Sequence, residues 1–189
     1  MITIVPYQSK WLNEFHEIGK GLHAELGSLA LRIDHIGSTS VPDLAAKDRI
    51  DIQVTVAGLT PEVEQALNRA GFIRNEEINE DHLPPGVLEA PDRWKKWFFS
   101  PTQTKRPVNL HVRIIGNPNQ RYPLLFRDYL RATPLSAQAY ARVKMALAHY
   151  LPDDIYAYCE IKDPVCDLII EAAEIWAKTN NWQTGPSDY

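Results

Sequence analysis

The chain has 189 residues, 44% of them hydrophobic and 23% charged, with a formal net charge of −4. Such a length and balance suit one globular domain with a proper core. The acidic excess argues against wrapping a nucleic acid, which needs a basic face, and no stretch approaches the ~20 apolar residues of a membrane span.

The start, Met1-Ile2-Thr3-Ile4-Val5-Pro6, has no basic region and no long apolar run. A cytoplasmic protein is expected. Trp11, Phe15, Ile18, Leu22 and Leu26 recur at helical spacing and predict a first helix, with Gly27 as its C-cap. Leu31 to Ile36 is a short predicted strand ending at Gly37, and Val41 to Lys47 a tight connection or a single helical turn. Ile50 to Val56 alternates Ile50, Ile52, Val54 and Val56 with Asp51, Gln53 and Thr55, as a half-buried strand does. Pro61 to Ala70 is a predicted helix with Thr60 at its N-cap and Gly71 closing it.

Residues Asn75 to Arg93 are polar and carry Pro84-Pro85-Gly86. A long surface loop is expected, of the kind that is often functional; Asp81 and His82 on it are candidates to close over a substrate. Trp94 to Ser100 and Val108 to Ile114 predict a hairpin joined by Pro101 to Pro107, with the aromatic cluster in its core and Lys95 and Lys96 exposed. Three helices follow, the last two over Ala137–Leu151 and Ile155–Lys178, and a frayed tail. Cys159 and Cys166 are seven residues apart on one helix, ~10.5 Å along its axis. That is beyond disulfide reach, so both are expected as reduced core residues.

The chemistry concentrates in Asp34-His35-Ile36-Gly37-Ser38-Thr39-Ser40 and Ile50-Asp51-Ile52-Gln53-Val54. Gly37 allows close backbone approach, and Ser38, Thr39 and Ser40 add hydroxyls to backbone N–H groups. Such a turn either forms an anion-binding nest or caps the short helix after Pro42. Asp51 and Gln53 share one sheet face, and Asn109 and His111 repeat the pattern on a later strand. Magnesium prefers such oxygen donors and imidazole favours transition metals, yet both positions also suit a solvated sheet face. No Gly-x-x-x-x-Gly-Lys and no Gly-x-Ser-x-Gly occurs, which removes the P-loop and nucleophile-elbow readings.

His35-Ile36-Gly37-Ser38-Thr39-Ser40-Val41-Pro42, Leu44-Ala45-Ala46-Lys47 and Ile50-Asp51-Ile52-Gln53-Val54 resemble the signature of the GrpB family. The likeness continues at Leu110-His111-Val112, Phe126-Arg127-Asp128-Tyr129-Leu130-Arg131, Tyr140, Lys144, Tyr158, Lys162 and Trp176. That family sits in the nucleotidyltransferase superfamily and also occurs fused to dephospho-CoA kinases. The resemblance implies an α/β (α+β) fold, with a small mixed sheet over about 30–116 and C-terminal helices over about 121–178. Together these make one domain over 1–178, with residues 179–189 as the tail.

It also implies roles. Gly37, Ser38, Thr39 and Ser40 would grip phosphates; Asp51 would hold metal, with Gln53 and His111 where further carboxylates are usual. Mg²⁺ or Mn²⁺ would be the cofactor, and His35, just before the turn, is a candidate to orient a phosphate or Asp51, or else a satisfied buried histidine. Lys47, Arg127, Arg131, Tyr140, Lys144 and Lys162 are candidate triphosphate partners, or else solvated charges and helix pairs. Asp43 and Asp48 stand where the family commonly has glycine and proline. The implied reaction moves NMP from an NTP, ATP foremost, to a small-molecule or protein acceptor, with Ser38 and Asp51 as catalytic residues. The alternatives are a catalytically degenerate nucleotide- or CoA-related binding module and an ATP-dependent ligase or kinase of a small molecule.

Overall fold

A computed structural model describes residues 1–87, 91–102 and 106–189. In chain order the elements are α1 (Lys10–Leu26), β1 (Arg32–Ile36), β2 (Ile50–Val56), α2 (Pro61–Arg69), β3 (Phe72–Asn75), β4 (Trp97–Pro101), β5 (Val108–Ile114), α3 (Pro118–Ala132), α4 (Pro134–Tyr150) and α5 (Ile155–Thr179). The sheet order is β1-β2-β5-β4-β3. Only the central pair, β2 and β5, is parallel; the other neighbours run antiparallel.

The alternation of β2 sends Ile50, Ile52, Val54 and Val56 into one core with Trp11, Phe15 and Leu22 of α1 and Val63 and Leu67 of α2. Each such buried side chain contributes about 1.5–3 kcal/mol. The opposite sheet face, which the pattern leaves either solvated or part of a site, is covered: Gln53 and Thr55 are 0% exposed, and the Gln53 amide donates to the Gln120 backbone carbonyl of α3 at 3.0 Å. The three C-terminal helices therefore close over this face. Of these, α3 and α5 pack on one another through Leu125, Ile170 and Ala173, and α3 and α4 pack onto the β1–β2 connection through Val41, Leu44, Leu130 and Tyr140.

Several expectations shift. The strand β3 was not foreseen, being four residues at a sheet edge with polar Arg74 and Asn75. Trp94 ends a 3₁₀ turn, Pro91–Trp94, rather than starting β4. The hairpin of β4 and β5 is present; residues 103–105 of its connection and 88–90 of the preceding loop lie outside the described residues. Asp43 takes φ +63°, which accounts for glycine being common there, since short polar side chains tolerate that region best among non-glycine residues. Asp48 faces away from the turn, accepting from Trp11 Nε1 at 2.7 Å and pairing with Arg106 at 2.6 Å.

The tail is not frayed. Ser187 Oγ accepts from the Ile33 amide at 2.9 Å and donates to the Ile33 carbonyl at 3.0 Å. Asp188 accepts from the His35 amide at 2.9 Å and from Arg127 Nη1 at 2.6 Å. The tail thus covers the outer edge of β1, which would otherwise present unpaired backbone groups. Replacing Asp188→Ala strips one carboxylate from buried Arg127 and leaves Asp128 beside it. A loss of about 2 kcal/mol in urea unfolding is expected; unchanged stability would mean the tail is not docked in solution.

Candidate active site

β1 ends in a turn that Gly37 makes possible. Its φ is +68°, and a Cβ there would fall 2.9 Å from the Asp51 Cβ and Cγ. Both restrictions select glycine. Ser38–Ser40 then form a single 3₁₀ turn, closed by the Ser40 hydroxyl donating to the Gly37 carbonyl at 2.6 Å. The Thr39 hydroxyl sits 3.0 Å from His35 Nε2, and the His35 ring stacks on Phe15 at 4.8 Å. Burial, with Arg131 and Arg127 nearby, pushes the imidazole down to about 3, so it is neutral. His35 is a buttress under the turn.

Asp51 stands beside this turn on β2. Asn109, its register partner on β5, donates to Asp51 Oδ1 at 2.7 Å and accepts from Arg49 at 2.9 Å. Burial raises the Asp51 carboxyl above its usual range against the opposing pull of Asn109 and Arg49. From α4, Lys144 is 3% exposed and donates to Ser38 Oγ at 2.7 Å and the Ala45 carbonyl at 2.6 Å. Both acceptors are neutral, and burial, against the upward pull of Cys166 and Asp51 and with Lys162 and Lys47 nearby, pushes its amine down to about 7. Lys47 lies over the Tyr158 ring, 4.1 Å from its centroid. Lys162 pairs with Asp163 at 2.7 Å. The Tyr140 hydroxyl is 3.6 Å from Cys166 Sγ.

These groups line one cavity of about 500 Å³ that includes Gly37, Ser38, Thr39, Lys47, Arg49, Asp51, Lys96, His111, Tyr140, Lys144 and Lys162. Other anticipated residues lie elsewhere. Arg127 donates to the His35 carbonyl at 3.0 Å and Arg131 to the Ser40 carbonyl at 2.7 Å. Both brace the turn from behind. Gln53 is buried, its carbonyl taken by Arg113 Nη1 at 2.8 Å.

Arg113, Lys96 and Arg49 were missed. Arg113 continues the Asn109, His111 alternation by one more step, which was the available signal. Lys96, expected exposed, is 8% exposed and ion-paired to Asp81 at 2.6 Å. Asp81, on the expected surface loop, also takes a bidentate grip from Arg113 at 2.8 Å. Burial alone would raise the Asp81 carboxyl, but Arg113 and Lys96 outweigh it and hold it well below the usual range.

The expected metal set of Asp51, Gln53 and His111 does not assemble. The Gln53 oxygen is occupied by a guanidinium, and His111 Nδ1 lies 3.4 Å from Arg113 Nη2. Among the described residues, no group of three His, Cys, Asp or Glu side chains is placed to hold a metal. The donors therefore do not fit a carboxylate-held divalent ion.

Gly37→Ala combines a strained φ with a collision at Asp51. A loss of about 1–3 kcal/mol is expected in thermal unfolding, together with a displaced Asp51. An unchanged midpoint would contradict the close fit of turn and strand.

The chain is similar to several known proteins. The crystal structure of conserved protein GrpB from Enterococcus faecalis has a TM-score of 0.71 and 30% identity, covering 92% of this chain and 99% of that one. A dephospho-CoA kinase of Mycolicibacterium paratuberculosis is 34% identical over 96% of this chain and 48% of its own length. The UPF0157 protein BH1888 of Halalkalibacterium halodurans is 31% identical over 91% of this chain and 82% of its own. The chain spans about half the length of the dephospho-CoA kinases it matches. No helix among the described residues is long and apolar enough to cross a membrane. The family described as GrpB protein matches residues 1–172, and this chain belongs to it.

Proposed function

We propose that the cavity binds the phosphate chain of an NTP, ATP foremost, and that the chain transfers NMP from it to a small-molecule or protein acceptor. The observation carrying this reading is Lys144, a buried amine with only neutral acceptors, aimed at the Ser38 hydroxyl beside Asp51. A buried cation without a carboxylate is costly. An anionic ligand offsets that cost and meets the Ser38–Ser40 turn at the same point. The match to about half the length of proteins named dephospho-CoA kinases is in keeping with a phosphorylated ligand.

In this reading the acceptor oxygen or nitrogen attacks the α-phosphorus. The bond to the oxygen bridging the α- and β-phosphorus breaks, and pyrophosphate leaves with that electron pair. Asp51 takes the acceptor's proton, and its raised carboxyl suits it as a base. Ser38, Lys47 and Lys144 hold the phosphates and stabilise the charge that develops on them.

A second reading, binding without turnover, is favoured by Gln53 and His111 standing where further carboxylates would help, both beside the Arg113 guanidinium. Incubation with labelled ATP and an acceptor mixture separates the two. Pyrophosphate release with label on the acceptor supports transfer, and ADP release indicates a kinase. Asp51→Asn is expected to abolish transfer while keeping nucleotide binding. Undiminished turnover would refute Asp51 as base.

The Lys144 amine sets a pH dependence. Its value of about 7 is far below that of a free lysine, so it carries charge below pH 7 and loses it above. A bound anion favours the charged form. Affinity therefore falls as pH rises through 7, by up to about tenfold per unit. Calorimetric titrations between pH 6 and 9 are expected to show this step in the wild type and not in Lys144→Met. Identical profiles would contradict it.

A further inference from the structure

A divalent ion bound by a protein needs negatively charged or neutral oxygens free to coordinate it. Around Gln53 and His111 the strands β2 and β5 supply the opposite. The Gln53 carbonyl accepts from Arg113 at 2.8 Å, and the remaining Arg113 donors grip Asp81 at 2.8 Å. A guanidinium, itself 5% exposed, thus occupies the space beside Gln53 and is fixed there by a carboxylate. His111 stands 3.4 Å from the same guanidinium, so a second cation there meets repulsion from the first.

Around the cavity, two further cations are spoken for. Lys96 pairs with Asp81 at 2.6 Å and Lys162 with Asp163 at 2.7 Å. Among the described residues no carboxylate makes a hydrogen bond or ion pair with Lys47, Arg49 or Lys144, and Asp51, the remaining lining carboxylate, acts on all three through space. Lys47 and Lys144 converge on the cavity from the connection after the turn and from α4, on the side where Ser38 offers its hydroxyl.

We infer that this cavity takes an oligophosphate directly on Lys47, Lys144 and the Ser38 turn, with no divalent ion between ligand and protein. This rests on the phosphate-binding reading above and specifies how the charge is met. Lysine ammonium groups act here as fixed point charges, as they do in many phosphate sites. A metal ion riding on the ligand would cancel the charge the lysines bind. Magnesium therefore weakens binding in this site, whereas it tightens binding in a carboxylate-held one.

The test is calorimetry of the whole chain with inorganic tripolyphosphate and with ATP, once in EDTA and once in excess Mg²⁺. Binding of both probes in EDTA, weakened severalfold by Mg²⁺, is expected. Lys47→Met and Lys144→Met should each weaken binding in EDTA by roughly ten- to a hundredfold, with wild-type circular dichroism. Lys47 is partly exposed, so its variant carries the test if the buried Lys144 substitution unfolds the chain. Binding that requires Mg²⁺ overturns the inference and leaves nucleotide binding standing. Binding in EDTA that both variants retain in full overturns it too. No binding of either probe under either condition overturns the phosphate reading itself.

Discussion

The contact between Gly37 and Asp51 is the constraint on which the site depends. β1 and β2 are antiparallel neighbours, with Ile36 opposite Asp51. The chain must leave β1 at the point where the β2 carboxylate rises. Only a residue without Cβ fits between them, and the φ of +68° carries the chain past the carboxylate into the Ser38–Ser40 turn. His35, Arg127 and Arg131 then hold that turn from beneath and behind through Thr39 and two backbone carbonyls. The tail adds Asp188 against Arg127. Residues far apart in the chain thus serve one short loop.

Charge is arranged in two tiers around it. One tier is self-contained: Arg113 and Lys96 on Asp81, capped by Asn119 donating at 3.0 Å. Such a buried network is costly to break and of modest net stability, because desolvation offsets much of the attraction. What it contributes is position, pinning the loop that carries Asp81 and His82 over the edge of the cavity. The other tier is left open, with Lys47 and Lys144 against aromatic rings and neutral oxygens. In the proposed reading an anionic ligand meets these two amines.

Much of the architecture was legible because it rests on short-range periodicity. The two-residue alternation bounded β2 and β5 as they stand, and an apolar stripe found α1. The likeness through His35-Ile36-Gly37-Ser38 and Ile50-Asp51 pointed to a turn and a strand that lie side by side. What failed depends on partners distant in sequence. Arg127 and Arg131 have the spacing of a phosphate clamp, but their acceptors are carbonyls of the turn some ninety residues earlier. Gln53 looked like a ligand until Arg113, sixty residues on, took its oxygen. Lys96 looked solvated because its partner Asp81 lies in a segment without periodicity. The tail looked frayed because nothing in Ser187-Asp188-Tyr189 reveals the free edge of β1.

The most direct measurement is the NMR titration of the Lys144 amine, followed by ¹⁵N or ¹³Cε labelling of lysine, with and without tripolyphosphate. The account predicts a midpoint near 7 in the free protein that climbs when the anion binds, since a bound anion stabilises the ammonium. A Lys144 amine that titrates like a solvated lysine, or that does not respond to tripolyphosphate, would contradict the claim that this buried charge is held for a phosphate.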